Sequence, residues 1–223
     1  MTIAAAAMDR GTSSFGVYNV KLGMWVFLLS EVMFFTGLIG TYIILRFANP
    51  EQFARPGEVL NVPLTAANTF FLICSSVTMV KAYAEIERGN QQGLKRYLVA
   101  TALIGMLFVG IQGVEYWKLA HEGFVPVAAL YKAVGRHAAE AGEAGAAGAA
   151  VLGGPLYGTT FYTMTGFHGA HVTIGVLCLW FTVYQAYRGR YSAQNVAGVE
   201  AMGLYWHFVD LVWIILFTIV YLI

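Results

Sequence analysis

Five long apolar stretches constrain this chain of 223 residues more than any other feature. A membrane-spanning helix needs about 20 mostly apolar residues to cross a hydrocarbon layer of roughly 30 Å, and each stretch is long enough. Because hydrocarbon offers no partner for backbone N–H and C=O groups, each stretch is predicted to be a helix. The predicted spans cover approximately residues 22–45, 64–84, 97–117, 159–187 and 201–223.

Composition excludes the soluble and disordered classes of protein. Only 11% of the residues are charged and 58% are hydrophobic, whereas an average soluble domain is about one quarter charged. The net charge of +1 leaves no basic surface for nucleic acid. Cys74 and Cys178 lie inside apolar stretches and are predicted to be core thiols without a disulfide. The sequence predicts an all-α integral membrane protein, a single bundle of five transmembrane helices over residues 1–223.

The distribution of Lys and Arg predicts the orientation of the bundle. Residues 1–16 lack the charged-then-apolar order of a signal peptide, so we expect a retained cytoplasmic tail. More basic residues fall on the side of this tail than on the other side, which predicts a cytoplasmic N-terminus and an outer C-terminus. The tail side holds Arg10, Lys21, Lys81, Arg88, Lys95, Arg96, Arg188 and Arg190, and the other side holds Arg46, Arg55, Lys118, Lys132 and Arg136.

The connection between the third and fourth spans is unusual. This predicted outer loop, residues 121–155, contains the run Ala138 to Gly154, which is almost entirely Ala and Gly. The composition favours a mobile loop, and the alternative is a docking segment for a partner. No internal repeat is visible, so an inverted-repeat transporter gains no support.

Few ionisable groups lie inside the spans, and they are Glu31, His168, His171, His207 and Asp210. A carboxylate at the bilayer centre costs roughly 2.5–3.5 kcal/mol, so such groups are expected to face the protein interior and to have partners. At about 1.5 Å rise per residue, Glu31, His171 and Asp210 fall at similar heights near the midplane. We expect an internal polar network that joins the first, fourth and fifth helices.

This polar network has three candidate roles. The first is a hydrogen-bonded network that fixes helix register, with Glu31 uncharged, and the second is a proton relay. The third is a site for a metal, held by His168 and His171 with a third histidine, or for haem, for which only His171 and His207 come close to one depth. No nucleophile–base pair, phosphate-binding glycine loop or CxxCH motif is present. Small residues are expected to let helices approach closely at the pairs Gly166 and Ala170, Gly169 and Thr173, and Gly37 and Thr41.

Four strings carry a specific resemblance. They are GMWVFLLSEVMFF at 23–35, QGVEY at 112–116, YGTTFYTMTGFHGAH at 157–171 and EAMGLYWHFVDLVW at 200–213. In this order they resemble subunit III of the haem–copper oxidases, over all five spans. The family's mid-membrane glutamate matches Glu31, and its two histidines match His168 and His171. Further motif residues are Gln112, Glu115, Tyr157, Glu200, Tyr205 and Trp206.

The resemblance implies a non-redox accessory subunit of a proton-pumping terminal oxidase, which reduces dioxygen to water in aerobic electron transport with electrons from cytochrome c or quinol. It implies no catalytic centre, metal or other cofactor in this chain, with haem and copper held by partner subunits. Oxidase subunit I is the principal expected partner, with subunit II, further respiratory subunits and bound phospholipid beside it. The chain is expected to stabilise the catalytic subunit, to support proton uptake, and to lie in the bacterial cytoplasmic (inner) membrane.

The sequence also departs from the family pattern. Larger members have seven helices, with lipids between the first two and the rest, and this chain is expected to begin at the family's third helix. Residues 195–200 read NVAGVE, where the family often has His-His-x-Gly-x-Glu. The alternatives are a subunit III-like component of a quinol oxidase or nitric oxide reductase, and a free-standing proton-coupled transporter.

Overall fold

The fold is a bundle of long helices. The computed structural model describes the backbone at residues 2–53, 60–121 and 155–222, and the side chains at residues 19–53, 60–121 and 156–222. The described helices confirm the predicted all-α membrane bundle. They are α1 (Thr2–Ala48), α2 (Val62–Glu87), α3 (Gln91–His121), α4 (Pro155–Tyr187) and α5 (Ala197–Phe217), which continues into a π-helical turn at Thr218–Leu222.

The helices are longer than the predicted spans. Each of the five is long and apolar enough to cross a membrane, and in α1 the apolar part is Asn19–Ala48. At the end of α2 and at both ends of α3 the extra residues are largely polar, and hydropathy alone leaves such turns out of a span. Most of the predicted outer loop, residues 122–154, lies outside the described residues.

Local sequence signals set where several helices begin and end. The side chain of Asn61 caps α2 by accepting a hydrogen bond from the backbone N–H of Leu64 at 3.2 Å. Gly89 ends the same helix with a φ of 78°, and Gly189 ends α4 with a φ of 70°. A side chain at either glycine would be strained in this left-handed conformation, so both glycines allow an abrupt helix end.

Helix α5 occupies the centre of the bundle. It packs against α1, α2 and α4, while α2 packs against α3 and α3 packs against α4. Helix α1 lies at the edge, where it packs against α4 and α5 and leaves large apolar side chains such as Trp25, Leu29 and Met33 exposed. Helix α4 likewise meets three helices, α1, α3 and α5, so the interior contacts centre on α4 and α5.

Trp206 on α5 joins four helices. Its indole is fully buried, and its Nε1–H donates to Ser75 Oγ of α2 at 2.9 Å. A Cβ placed at Gly105 of α3 would lie 2.6 Å from Trp206 Cη2, and one at Gly175 of α4 would lie 3.1 Å from Cζ3. The two glycines thus make the space for the ring, because any side chain at Gly105 would overlap it.

A second tryptophan repeats this arrangement two turns further along α5. Trp213 is fully buried, and its Nε1–H donates to Thr69 Oγ1 of α2 at 2.8 Å. Its ring stacks on His168 of α4 with centroids 4.7 Å apart and meets the edge of Phe108 of α3 at 5.0 Å. Residues seven apart lie on one face of a helix, so α5 presents both rings to the same three neighbours.

Two sequence-based expectations about packing were wrong. A Cβ at Gly37, Gly166 or Gly169 would meet no atom within 4 Å, so these glycines do not mark close helix approaches in the described part of the chain. The small-residue spacing is satisfied equally well on an exposed face, and spacing alone does not tell which face a neighbour covers. Both cysteines are free, but Cys178 is exposed rather than in the core.

We predict that Gly105→Ala destabilises the bundle by about 1–3 kcal/mol, because the added methyl group overpacks against an indole held by its hydrogen bond to Ser75. The matched control is Gly110→Ala on the same helix, where a Cβ would meet nothing within 4 Å. The midpoint of thermal denaturation of the detergent-purified protein compares them. Equal midpoints for the two variants would contradict the role given to Gly105.

Candidate functional site

Glu31 of α1 pairs with His171 of α4 inside the membrane. Glu31 Oε2 lies 3.1 Å from His171 Nε2, and the two side chains are 17% and 18% exposed. Phe35 packs edge-on to the imidazole with centroids 5.2 Å apart. The pair borders a groove of about 580 Å³ between α1, α4 and α5.

Hydrogen bonding assigns the protons of this pair. His171 Nδ1 lies 2.7 Å from the backbone carbonyl of Phe167, and because a carbonyl only accepts, Nδ1 carries a proton. His171 Nε2 and Glu31 therefore share one further proton, either as carboxylic acid and neutral imidazole or as carboxylate and imidazolium. The shared proton gives α1 a polar attachment to α4 in surroundings where apolar contact alone drives little association.

Asp210 and His207 of α5 converge on Ser76 of α2, and we call these three residues the Asp210 cluster. Ser76 Oγ donates to Asp210 Oδ2 and lies 2.9 Å from His207 Nδ1. Asp210 is buried, whereas His207 is half-buried. The serine hydroxyl can donate to one neighbour while it accepts from the other, so it connects the carboxyl to the imidazole.

His168 is separate from both groups. Its Nε2–H donates to the backbone carbonyl of Val209 at 3.2 Å, and the side chain is fully buried between aromatic rings. Its Nδ1 is buried without a hydrogen-bond partner in the described part of the chain. His168 thus contacts α5 through the backbone and through Trp213, not through Asp210.

The structure therefore distributes the five predicted residues over three contacts instead of one continuous hydrogen-bonded set. Lys21 Nζ of α1 lies 2.8 Å from Glu200 Oε1 of α5, and these helices run in parallel. Glu31 and Asp210 each follow that ion pair by ten residues, or about 15 Å. The two acids thus lie at similar heights, as the depth estimate predicted, although each has its own partners.

Sequence reasoning missed Ser76, a polar partner of Asp210, and did not place Glu115 among the buried acids. Ser76 was not singled out, although a pair of serines at 75 and 76 inside an apolar span was a visible signal. Glu115 of α3 was marked only as a motif residue, but it is buried at 3% exposure and accepts a hydrogen bond from Thr65 Oγ1 of α2 at 2.8 Å. Neither helix pairing could be read from the spacing within one helix.

The other motif residues make contacts between elements. Tyr205 OH donates to the backbone carbonyl of His171 at 2.9 Å, and Tyr157 OH donates to that of Val220 at 3.2 Å. Gln112 is buried near Tyr221, and its amide makes no hydrogen bond among the described residues. The two tyrosines therefore bind helix to helix.

The arrangement does not resemble a metal centre. Among the described residues, no three His, Cys, Asp or Glu side chains group closely enough to hold a metal ion. His171 and His207, the pair considered for haem, bind different partners, Glu31 and Ser76. The chemistry that the geometry offers is hydrogen bonding between helices and the holding of single protons.

The fold and these contacts define a polytopic helical membrane protein whose buried polar groups connect its helices. Comparison with known proteins identifies its family: the cytochrome c oxidase subunit III profile matches residues 3–139 and 141–223. The chain belongs to the cytochrome c oxidase subunit III family, which confirms the resemblance seen in the motifs.

Individual members of the family align with this chain over most of their length. The chain is 33% identical to cytochrome c oxidase subunit 3 of Thermostichus vulcanus over 202 residues, 90% of this chain and 86% of the relative. It is 34% identical to a probable cytochrome c oxidase subunit 3 of Mycobacterium leprae over 223 residues, 100% and 96%. It is also 31% identical to quinol oxidase subunit 3 of Bacillus spizizenii over 210 residues, 94% and 89%.

We predict that Glu31→Gln preserves the stability of the bundle, because the amide N–H donates to His171 Nε2 in place of the carboxyl. Glu31→Ala removes that partner and should cost about 1–2 kcal/mol. Thermal denaturation in detergent measures both variants. Indistinguishable midpoints for Gln and Ala would show that the pair does not hold α1 to α4.

Thr65→Val should destabilise the protein by about 1–3 kcal/mol, because the buried Glu115 carboxyl loses its donor. Thr163→Val is the control, since the Thr163 side chain is exposed and its hydroxyl donates to the backbone carbonyl of Thr159 in its own helix. That control should stay within about 0.5 kcal/mol of the wild type. A cost for the control that equals that of Thr65→Val would argue against a specific role for the Thr65–Glu115 bond.

Proposed function

We propose that this chain is the non-redox accessory subunit III of a proton-pumping haem–copper terminal oxidase, in which it stabilises the catalytic subunit and supports proton uptake. The observation that carries the proposal is the family match over residues 3–139 and 141–223, together with relatives named oxidase subunit 3. The parent complex reduces dioxygen to water, and its haem and copper belong to partner subunits.

The contacts of the polar residues support an accessory role. Glu31, His168, His171, His207 and Asp210 each bind a residue on another helix of this chain. Polar groups used in this way hold helices in register, whereas a redox cofactor needs ligands directed at a common point. We assign this set to the internal support of the bundle and to proton holding, not to catalysis.

The exposed side of α1 supports a partner in the membrane. Large apolar side chains are exposed along this helix, including Val26, Ile44 and Phe47. In a bilayer such a face meets either lipid or the helices of another subunit. We infer oxidase subunit I as the principal partner, with subunit II and phospholipid nearby, in a bacterial cytoplasmic membrane with the N-terminus inside.

A quinol oxidase is the second candidate for the parent complex. It is favoured by the 31% identity to quinol oxidase subunit 3 of Bacillus spizizenii, which covers 94% of this chain. The electron donor binds outside this chain in both proposals, so the accessory role is the same.

A free-standing proton-coupled transporter is a weaker candidate. Such a protein needs a polar path that reaches both membrane surfaces. Along α2, the fully buried Leu72 and Met79 interrupt the polar residues that face the other helices. The described helices therefore offer polar sites that are separated by apolar layers.

Affinity purification of the tagged chain from its native membranes tests the proposal. We expect a haem-containing oxidase to co-purify and its optical spectrum and copper content to identify the type of partner. Cytochrome c or quinol oxidation by the preparation then separates the two oxidase candidates. Recovery with a nitric oxide reductase, or proton transport by the chain alone in liposomes, would overturn the assignment.

A further inference from the structure

A small cavity reaches the Asp210 cluster from one side of the membrane. It has a volume of about 180 Å³ and lies between α2 and α5, bordered by Tyr83, Glu200 and His207 and otherwise by Gly203 and apolar side chains such as Met79 and Leu204. Glu200 belongs to the first turn of α5 and is 23% exposed in its ion pair with Lys21. The cavity therefore extends from the α5 N-terminal end of the bundle to His207, and it has room for several water molecules.

The path continues beyond the cavity through hydrogen bonds. His207 borders the cavity, and its Nδ1 lies 2.9 Å from Ser76 Oγ, which binds Asp210 Oδ2. Nε2 of the same ring makes no hydrogen bond within the described part of the chain and is the ring atom available to water. Asp210 itself is buried, and its Oδ1 has no hydrogen-bond partner among the described residues.

No polar path leads onward from Asp210 in the described helices. One turn along α2 from Ser76, Leu72 is buried, and along α5 the next large buried side chain is the indole of Trp213. His168 lies on the far side of Val209, to whose carbonyl it binds. The hydrogen-bonded path is therefore open at His207 and closed at Asp210.

We propose that His207, Ser76 and Asp210 form a dead-end proton-binding site that exchanges one proton with the aqueous phase at the α5 N-terminal end. This deepens the proposed function, on which it rests for its physiological setting beside a proton-pumping enzyme. A buried carboxyl with an unpartnered oxygen is costly as an anion, and a proton that arrives through a hydrogen-bonded relay removes the charge.

The transfer balances as a two-step relay. A proton from cavity water binds His207 Nε2 while Nδ1 carries its own proton, which gives an imidazolium. The Nδ1 proton then passes to Ser76 Oγ as the Ser76 hydroxyl proton passes to the Asp210 carboxylate. The products are a neutral imidazole with its proton on Nε2, an unchanged serine and a neutral Asp210, so the net reaction is protonation of the carboxylate together with a change of the His207 tautomer.

Other titratable groups surround this site and must be separated from it. On α3 the contacts at this level are Gly105 and Phe108, which carry no charge. The groups on the remaining packed helices that the spectra must separate from it include Lys21 and Glu31 of α1, Cys74, Tyr83 and Glu87 of α2, His168 and His171 of α4, and Glu200 and Tyr205 of α5.

Infrared difference spectroscopy of the purified native complex, recorded between high and low pH, tests the site. We expect a band of a protonated carboxyl that appears on acidification, is lost in Asp210→Asn and is retained in Glu31→Gln. Ser76→Ala should keep the band but move it to higher frequency, because the protonated carboxyl loses its hydrogen-bond partner. A wild-type spectrum without such a band, or a band unchanged in both Asp210→Asn and Ser76→Ala, would overturn the proposal.

Exchange into D₂O tests the route. In the wild type the Asp210 band should shift within the mixing time, whereas Gly203→Val fills the cavity and should slow the shift by roughly tenfold, about 1.4 kcal/mol in barrier. Gly203→Ala is the matched control, since its Cβ would make only an ordinary 3.5 Å contact with Met79. Equal exchange rates for the Val and Ala variants would overturn the route.

The outcome for the parent complex is independent of these spectra. If the wild-type chain purifies without any haem protein, the proposed function fails, and the carboxyl band still decides whether Asp210 binds a proton. If the oxidase co-purifies and the band does not respond to pH, the proton site fails and the accessory assignment stands.

Discussion

The burial of the Trp206 indole at the meeting point of four helices is the contact on which the bundle depends. Lipid is as apolar as a leucine side chain, so burial of apolar surface does not by itself drive helices together in a membrane. Shape complementarity and hydrogen bonds must do so, and Trp206 supplies both through Gly105, Gly175 and Ser75. The rest of α5 is oriented by this contact, including the face that carries Asp210.

Three acidic residues of the membrane interior also connect helices, because each has a partner on another helix. Each of these three acids is bound by one helix other than its own: Glu31 by α4, Asp210 by α2 and Glu115 by α2. Such groups are expensive in lipid when they are unpaired, so every pair both lowers the cost of insertion and connects two helices. The same geometry leaves single protons in defined places, which links the stability of the subunit to its proposed work beside a proton pump.

Much of the fold could be predicted from local patterns, because hydrocarbon thickness and backbone hydrogen bonding leave few alternatives to a helix. The similar heights of Glu31 and Asp210 could also be predicted, since the rise per residue converts sequence position into distance along a helix. Which helices pack against each other could not be predicted from local patterns. Gly37 and Gly169 have the spacing of a close approach and meet no neighbour, while Gly105 and Gly175 make the actual contacts around Trp206. The spacing of residues shows which of them share a face of one helix, but it does not show which helix covers that face.

The amino-acid sequence by itself determined five helices long and apolar enough to cross a membrane, the similar heights of Glu31 and Asp210 and, through its motifs, the subunit III family. Only the tertiary structure decided that Glu31 binds His171, that Asp210 reaches His207 through Ser76, and that a cavity opens to His207 from one side. The physical reason is that hydropathy and helical rise act along one chain segment. Partnership between segments depends on side-chain shape and on donors and acceptors that meet only when the helices are packed.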